Sequence, residues 1–587
     1  MAFDAAVLSA LLPELEHLVG SRIVRVHQPT RLELVFTLRL ERESVRLLLS
    51  AHPERARLHL TTRSQVNPSV PPAFCMYLRR HLEGARLAAI RRPPGERIVG
   101  LRFEGRDELG ERQDLELVAE LMGKHSNLIL VNKRSGVILE AIKHITEEVN
   151  RFREVLPGLP YRDPPAQARL PLEGLTELAF YSALQAQGKA VVPALVSTLS
   201  GFSPLLAREV AARAGVPEDL RVKQASRGEL ERLWQALMAV RQVLADAAWQ
   251  PTVYLSPNGR VSEVAPFALV LLEGQAARRF PAMSTALDFY YGQKETEEHF
   301  STTRHNLLAV VKRAQEHAEK KLSLHLTAAE EAGAAEEYRR MGQLLFAYGH
   351  QAAPGASELT AQDWETGQAV RIPLDPRLSA VQNAQIYLRR FAKAKKTLGA
   401  ARELAVRDKE ELAYLDTIAL ALDEAQDLAD LEEIRLELEK EGYVKKPPAA
   451  RTAAGKATRS QHLSFLSSDG WTILVGRNNR QNDRLTLRLA QPHDLWLHAQ
   501  NIPGAHVVVR CPDGKLPSER TLHEAALLAA YHSRARLSSR VPVDYTLCRY
   551  VRKPAGARPG FVIYDHQRTL YVTPSEENLE ALRSPDS

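Results

Sequence analysis

Two polar stretches hold most of the side chains able to do chemistry. The first is Gly123-Lys124-His125-Ser126-Asn127, which lies just beyond Glu120 between an apolar run ending in Met122 and another from Leu128 to Val131. Such runs read as strands, so the five residues form the loop between them. A turn needs only the glycine and at most the asparagine. The surplus donors mark a candidate site whose ligand the rest of the chain must supply. The second stretch is "DLWLHAQNIPGAHVVVR". With Gln500 to Gly504, including Pro503, as the loop and Ala499 facing Ala505, His498 falls opposite His506, Trp496 opposite Val508 and Asp494 opposite Arg510, all on one sheet face. Zinc would need a third ligand, and none stands at ligand spacing. Imidazole and indole can stack on unpaired bases while nearby arginines hold phosphates; the other reading is a satisfied sheet with an Asp–Arg pair. Upstream, "GRNNRQND" supplies Asn478, Asn479, Gln481, Asn482 and Asp483, suited to hydrogen bonds with bases or sugar hydroxyls.

What carries these stretches is a soluble, multidomain chain. It has 587 residues, 44% apolar and 25% charged, which suggests two to four domains. No secretory signal or membrane-spanning run is read from it, and its three cysteines, Cys75, Cys511 and Cys548, form neither a disulfide framework nor a four-thiolate zinc site. A reducing cytoplasm is the expected setting. The net charge of +7 is uneven: between Val509 and Val572 stand eleven Lys/Arg, among them Arg552 and Lys553, against five Asp/Glu. A basic C-terminal module points to a polyanion such as nucleic acid, or to a plain solvated surface.

The elements that position the polar stretches follow from periodicity. An amphipathic first helix precedes alternating runs at "RIVRVHQ", "RLELVFTLRL", "SVRLLLSAH" and "RARLHLTT", an antiparallel meander. Residues 71–92 have helical spacing. Strands resume at "RIVGLRFEG", "DLELVAEL", "NLILVN" and "VILEAIKH", and "RFREVLPGLPYRDPP" reads as a Pro-rich linker. Residues 170 to 280 are helical; a Gly201-Phe202-Ser203-Pro204 turn between two helices is either a phosphate-holding helix-hairpin-helix or an ordinary corner. One amphipathic helix spans 295 to about 347, and a second helical run extends from Ala380 to Gly442 beyond a small tip. Together they suggest an antiparallel coiled-coil arm. A fifty-residue helix would reach roughly 75 Å, a length for spanning a large partner. "KKPPAARTAAGKATRS" reads as a flexible linker.

Taken together, "ELMGKHSNLIL", "RFREVLPGLPYRDPP", "GFSPLLAREV", "LDPRLSAVQNAQIYLRRFAKAKK", "GRNNRQNDRLTLRLAQPHDLWLHAQNIPGAHVV" and "VDYTLCRYVRKPAGARPGFVIYDHQRTLYVTP" resemble the NFACT family. The family includes ribosome quality-control factors and proteins once described as fibronectin-binding. The resemblance implies a multidomain α+β chain. Its N-terminal α+β domain at 1–170 would share the glycosylase N-terminal fold, and a helical domain with a helix-hairpin-helix would occupy 171–283. The coiled-coil arm would run over 284–446 with a tip at about 348–378, followed by a linker at 447–460 and an α+β RNA-binding domain at 461–587. It further implies an adaptor with no cofactor or metal, not an enzyme. Such an adaptor binds obstructed large ribosomal subunits carrying peptidyl-tRNA and recruits aminoacyl-tRNA, alanyl in bacteria, for mRNA-independent C-terminal tailing. The family's tRNA-handling residues carry over as Asp4, Glu96 and Arg97 (Glu96 where the family has aspartate), and as Glu120, Met122, Gly123, Lys124, His125, Ser126 and Asn127. In that transfer Lys124 lies on phosphate, with His125 and Asn127 near ribose or base. A glycosylase would need an N-terminal proline followed by glutamate; Ala2 and Phe3 stand there, so neither base excision nor DNA is expected. No membrane partner is expected. A fibronectin-binding adhesin and a general RNA-binding chaperone are the alternatives.

Overall fold

Strand alternation dominates the first 145 residues, and the computed structural model turns it into one nine-stranded antiparallel sheet. The structure describes residues 3–93, 95–106, 110–148, 151–165, 168–333, 335–445, 461–575 and 582, so the linker expected at 447–460 lies outside the described residues. The chain divides into two units, residues 1–298 and 299–587.

In the first unit, α1 (Ala5–Glu16) leads into β1–β4 (Arg22–Thr30, Glu33–Arg39, Ser44–Ser50, Arg57–Leu60). Then come α2 (Ala73–Leu82) and β5–β9 (Arg86–Arg91, Ile98–Arg106, Arg112–Glu120, Asn127–Asn132, Ile138–Ala141). The sheet order is β4-β3-β2-β1-β5-β6-β7-β8-β9. Phe3 before the first helix, Leu8, Leu11 and Leu15 within it, Leu78 and Leu82 from the second, and Phe36, Leu87, Phe103 and Leu117 from the strands form its core. The helix expected over 71–92 ends at Leu82, because Glu83 is extended and Gly84 has φ +85. That positive φ favours glycine and stops the helix. The Ala-rich Arg86–Arg91 then pairs between β1 and β6, where tertiary pairing overrides local helix propensity. "RFREVLPGLPYRDPP" is no free linker either: Ile145 bridges Val155, Val137 bridges Pro160, and Val155 is buried.

Helices α3–α6 (Glu177–Ala186, Val191–Thr198, Pro204–Ala214, Arg227–Ala245) form a second core. A three-stranded sheet, β10–β12 (Thr252–Leu255, Val261–Ala265, Ala277–Arg279), follows where helix alone was expected. Its strands are short, but Pro257-Asn258-Gly259 is a turn signal within the stretch.

The long helix α7 (Met283–Gly333) begins in the first unit, where the backbone N–H groups of Met283 and Ser284 donate to Glu14 at 2.6 and 3.1 Å. In the second unit it runs antiparallel to α9 (Ala380–Glu424). The register is fixed by Arg304 with Asp423 at 2.9 Å, Gln315 with Asp416 at 2.8 Å and His325 with Asp408 at 2.6 Å. Between the helices stand α8 (Ala335–Tyr348) and the hairpin β13–β14 (Glu358–Gln362, Ala369–Pro373). The helical run expected to Gly442 is broken: Asp427 caps a separate α10 (Leu428–Lys440). The new helix folds back on α9, with Tyr414 donating to Glu437 at 3.0 Å and Tyr443 to Glu411 at 2.9 Å.

The C-terminal module is a six-stranded antiparallel sheet in the order β15-β16-β18-β17-β19-β22. In chain order its elements are β15 and β16 (Leu463–Leu466, Thr472–Val475), α11 (Asn479–Arg484), β17 and β18 (Leu495–Ala499, Val507–Val509) and α12 (Glu519–Tyr531). They are followed by β19 (Val541–Leu547), β20–β21 (Val551–Arg552, Ile563–Tyr564) and β22 (Arg568–Val572). One sheet face packs on α12 through Ile473, Leu497, Val507 and Leu528.

A buried polar seam joins this module to α10. Asn478 donates to Glu433 at 3.0 Å, Gln481 to Glu433 at 3.2 Å and Asn479 to Glu437 at 3.1 Å, while Arg477 pairs with Asp430. Burial pushes the Glu437 carboxyl up to about 7 against the hydrogen bonds of Asn479 and Tyr414. Between its ordinary value of 4.5 and about 7, the folded state therefore holds the extra proton. This contribution is complete at low pH and is lost as pH rises through that window. Glu437→Gln removes the titration. Urea denaturation across the window is expected to show wild type losing on the order of 3 kcal/mol relative to the variant; parallel profiles would show the carboxyl titrating normally.

Candidate nucleic-acid interface

The N-terminal site is assembled by register. Glu120 pairs with Asn127 across β7–β8 and with Ile98 across β6–β7. Arg97 continues the ladder, its carbonyl accepting from Leu121 N–H at 2.9 Å. Arg97 and the 121–126 loop thus share one end of the sheet. The helical turn reaches the same place. Ser203, the N-cap of α5, accepts from Leu206 N–H at 3.2 Å and donates to Asp4 Oδ2 at 2.6 Å. Asp4 in turn caps α1 by accepting from Val7 N–H at 2.9 Å. The chain segments approach closely: a Cβ on Gly95 would lie 2.4 Å from Ser200 Oγ, so that hydroxyl would have to move, and one on Gly201 would lie 3.2 Å from the Ala5 Cβ, a tight contact.

Between these walls opens a cleft of about 920 Å³, lined by every N-terminal residue singled out from the sequence except Gly123. Its lining carries six Lys/Arg against three Asp/Glu. Lys124 and His125 are exposed on a short 3-10 turn, and Arg97 is half-buried. Burial lowers the Arg97 pKa, opposed by Asp4 and Glu96. Burial also raises the Asp4 carboxyl, opposed by its bonds to Ser203 and Val7.

Three of the expected ligand contacts have other work. Glu120 is fully buried, ion-paired with Arg153 at 2.6 Å and accepting from Tyr161 at 3.0 Å. Asn127 is clipped to the Lys143 backbone, donating to its carbonyl at 2.9 Å and accepting from its N–H at 3.1 Å. Asp4 has both oxygens engaged as above, and the Ser203 hydroxyl of the hairpin turn is spent on it. These groups hold the walls. The side chains turned to the cleft include some the sequence reading passed over, Arg151, the 89% exposed Phe152 and Arg169, while Lys143 on the same lining donates its ammonium to the carbonyls of Ala51 and Ser126 at 2.7 and 2.8 Å. The signal was present in "RFRE", two arginines flanking a phenylalanine, an arrangement suited to phosphate and base.

In the C-terminal module, Trp496 pairs with Val508 and Leu495 with Val509, the register expected from the sequence. His498 and His506 lie 5.5 Å apart between ring centroids, Trp496 and His506 5.2 Å apart, and Arg510 meets Asp494 at 3.0 Å. The expected stacking surface is corrected, however. Trp496 has no exposure, Tyr564 lies over it at 4.8 Å, and His506 is buried against Thr486 at 2.7 Å. Burial pushes the His506 imidazole down to about 3, and lowers that of His498 too. Asp494 accepts from Cys511 N–H at 2.8 Å and Gln491 N–H at 2.8 Å besides Arg510.

The amide loop is corrected in the same way. Asn478, Asn479, Gln481 and Asn482 are buried, the last accepting from His506 N–H at 3.1 Å, and Asp483 binds Lys553 and the Gly560 N–H at 3.0 Å. Gly504 is bridged to Ser533, and the Pro503 carbonyl accepts from Arg534 N–H at 3.0 Å. Of the residues chosen there, Arg552 stands in solvent, 3.7 Å from Asp565. Surface cation–aromatic pairs the sequence did not betray are Arg540 with the exposed Tyr571 at 5.9 Å and Arg549 with Tyr550 at 4.9 Å. Among the described residues no group of three or more His, Cys, Asp or Glu could hold a metal, and no helix is long and apolar enough to cross a membrane.

Because Glu120 is buried with a charged partner, Glu120→Gln breaks an ion pair while keeping the shape. The expected loss is about 3–5 kcal/mol of folding stability, read by urea denaturation. A change below about 0.5 kcal/mol would mean that Arg153 finds another acceptor.

Two family models cover this architecture: NFACT N-terminal and middle domains over residues 4–457, and the NFACT protein RNA binding domain over residues 461–563. The Rqc2 homolog RqcH of Bacillus subtilis is 36% identical over 588 residues, spanning 99% of this chain and 100% of that one. Among solved structures, the fibrinogen binding protein from Staphylococcus aureus is 26% identical over 50% of this chain and 99% of that one, with a TM-score of 0.42. The MutM (Fpg) protein from Thermus thermophilus is 19% identical over 42% of this chain and 76% of that one, with a TM-score of 0.21. Two matched models in chain order and a relative aligned end to end leave one conclusion: the chain belongs to the NFACT family.

Proposed function

We propose that this protein is a ribosome quality-control factor. It binds large ribosomal subunits obstructed by peptidyl-tRNA and holds an aminoacyl-tRNA, alanyl by family resemblance, for mRNA-independent C-terminal tailing of the stalled chain. The observation that carries the reading is the cationic cleft of the first unit, where Arg97, Lys124, His125 and the hairpin turn line one space. Lys124 and Arg97 would meet phosphates, which position RNA, and His125 and Phe152 would meet ribose or base. Asp4, Glu120 and Asn127 keep the walls in place. The long α7–α9 pair is suited to spanning a large particle, and the exposed arginines of the C-terminal module to RNA backbone. Peptidyl transfer would be the ribosome's chemistry, so the protein acts as an adaptor in the cytoplasm.

The test is co-sedimentation in sucrose gradients with copurifying tRNA measured in the same fractions. Wild type is expected with free large subunits, released steeply as salt rises. Arg97→Ala is expected to weaken tRNA binding by roughly ten- to a hundredfold, the loss of one charged hydrogen bond, while large-subunit association persists; Glu96→Asp should keep activity. Wild type found only at the top of the gradient, or Arg97→Ala with its full complement of tRNA, would overturn the reading.

A further inference from the structure

The outer face of the nine-stranded sheet, opposite α1 and α2, is divided in its charge. Toward β7 and β8 the cations are matched: Arg102 on β6 with Asp114 at 2.8 Å, and Arg91 at the end of β5 and Lys133 just beyond β8 with Glu116 at 3.0 and 2.7 Å. On β1, β2 and the start of β5 they are not. Arg22 pairs in register with Arg39 on one side and Arg86 on the other, so three neighbouring strands carry arginine at one level. A bulge at Val24 brings Arg25, opposite Thr37, onto the same face. All four arginines are exposed, and none makes an ion pair among the described residues. Arg39 donates to Ser44 Oγ at 3.3 Å; the acid next in the row, Glu104, is taken by Arg102 at 3.6 Å.

Like charges directly opposite each other destabilise a sheet. Strands lie about 4.8 Å apart, so the three guanidinium stems span roughly 10 Å in a straight line. We infer that the Arg39–Arg22–Arg86 row is a second RNA-backbone contact, separate from the cleft, whose guanidinium forks take successive phosphates of one strand. The inference rests on RNA being the partner, as proposed above. An acidic protein fits less well, because protein interfaces are anchored by buried aromatic and apolar groups. Here the one large apolar side chain exposed on these strands is Val24, at 48%. Guanidinium groups match phosphate oxygens two at a time.

The experiment uses the full chain and a short oligouridine, titrated over a salt series. Arg22→Gln, Arg39→Gln and Arg86→Gln together are expected to weaken binding roughly tenfold at low salt and to reduce the log–log salt slope by about two, at roughly 0.7 per single-strand phosphate contact. The corresponding lysine triple should keep the slope. Thermal melting is expected to be unchanged or raised in the glutamine triple, since a like-charge row is removed. Wild-type affinity and slope in that variant would overturn the inference; so would loss of oligoglutamate binding with RNA binding intact, which would assign the row to an acidic protein. Should wild type fail to sediment with large subunits, the function proposed above fails, and the row still stands or falls on its own oligouridine slope.

Discussion

The hydrogen bond from Ser203 to Asp4 ties together the N-caps of two helices that belong to different cores of the first unit. A carboxylate at a helix N-terminus satisfies orphan N–H groups and complements the helix dipole. Here one carboxylate sits at the meeting point of two such ends, and the cleft exists because they meet. Its other walls obey the same constraint. Glu120 is buried and must be paired, so Arg153 and Tyr161 are drawn back to the sheet. Asn127 must find partners for its amide, so the chain at Lys143 is pinned beside the loop. Buried polar groups with complete partners are rigid in a low dielectric, and that rigidity leaves Lys124, His125 and Phe152 projecting from a fixed frame.

The second unit uses the same device to a different end. Carboxylates spaced along one face of α10 (Asp430, Glu433 and Glu437) meet the arginine and amides that precede and open α11. This seam fastens the base of the helical arm to the C-terminal sheet within a single unit. In both places the polar residues that would attract a reader looking for ligands are structural, and the exposed groups that face solvent lie a few residues away.

That difference explains what could be read in advance. Strand alternation gave the meander and, with one assumption about a loop, the His498–His506 register, because pairing across a hairpin follows from counting. Exposure could not be counted. Tyr564, which covers Trp496, lies 68 residues further along the chain, and the acceptors for Asn478 and Gln481 lie on a helix some 45 residues earlier. A local run of amides looks the same whether water or a buried carboxylate answers it. The strand at Arg86–Arg91 was masked by alanines that favour helix, and the start of α10 by an aspartate that reads equally well as a solvated side chain or as a cap. The cleft residues were legible mainly through family resemblance; their meeting with the Gly201 turn needed the fold.

The return of residues 151–165 onto the sheet makes that Pro-rich stretch a working part of the first module. Its prolines read as a linker closing the domain, yet Val155 belongs to a core with Ile98, Val118 and Ile129, and Arg153 answers the charge of Glu120. A fragment ending at residue 150 would carry an unanswered carboxylate and an open apolar groove on its sheet. Recombination, gene fission or a protease acting there would part the sheet from the strap that pairs its buried charge. The unit of inheritance in this part of the chain is therefore the sheet together with its returning strap.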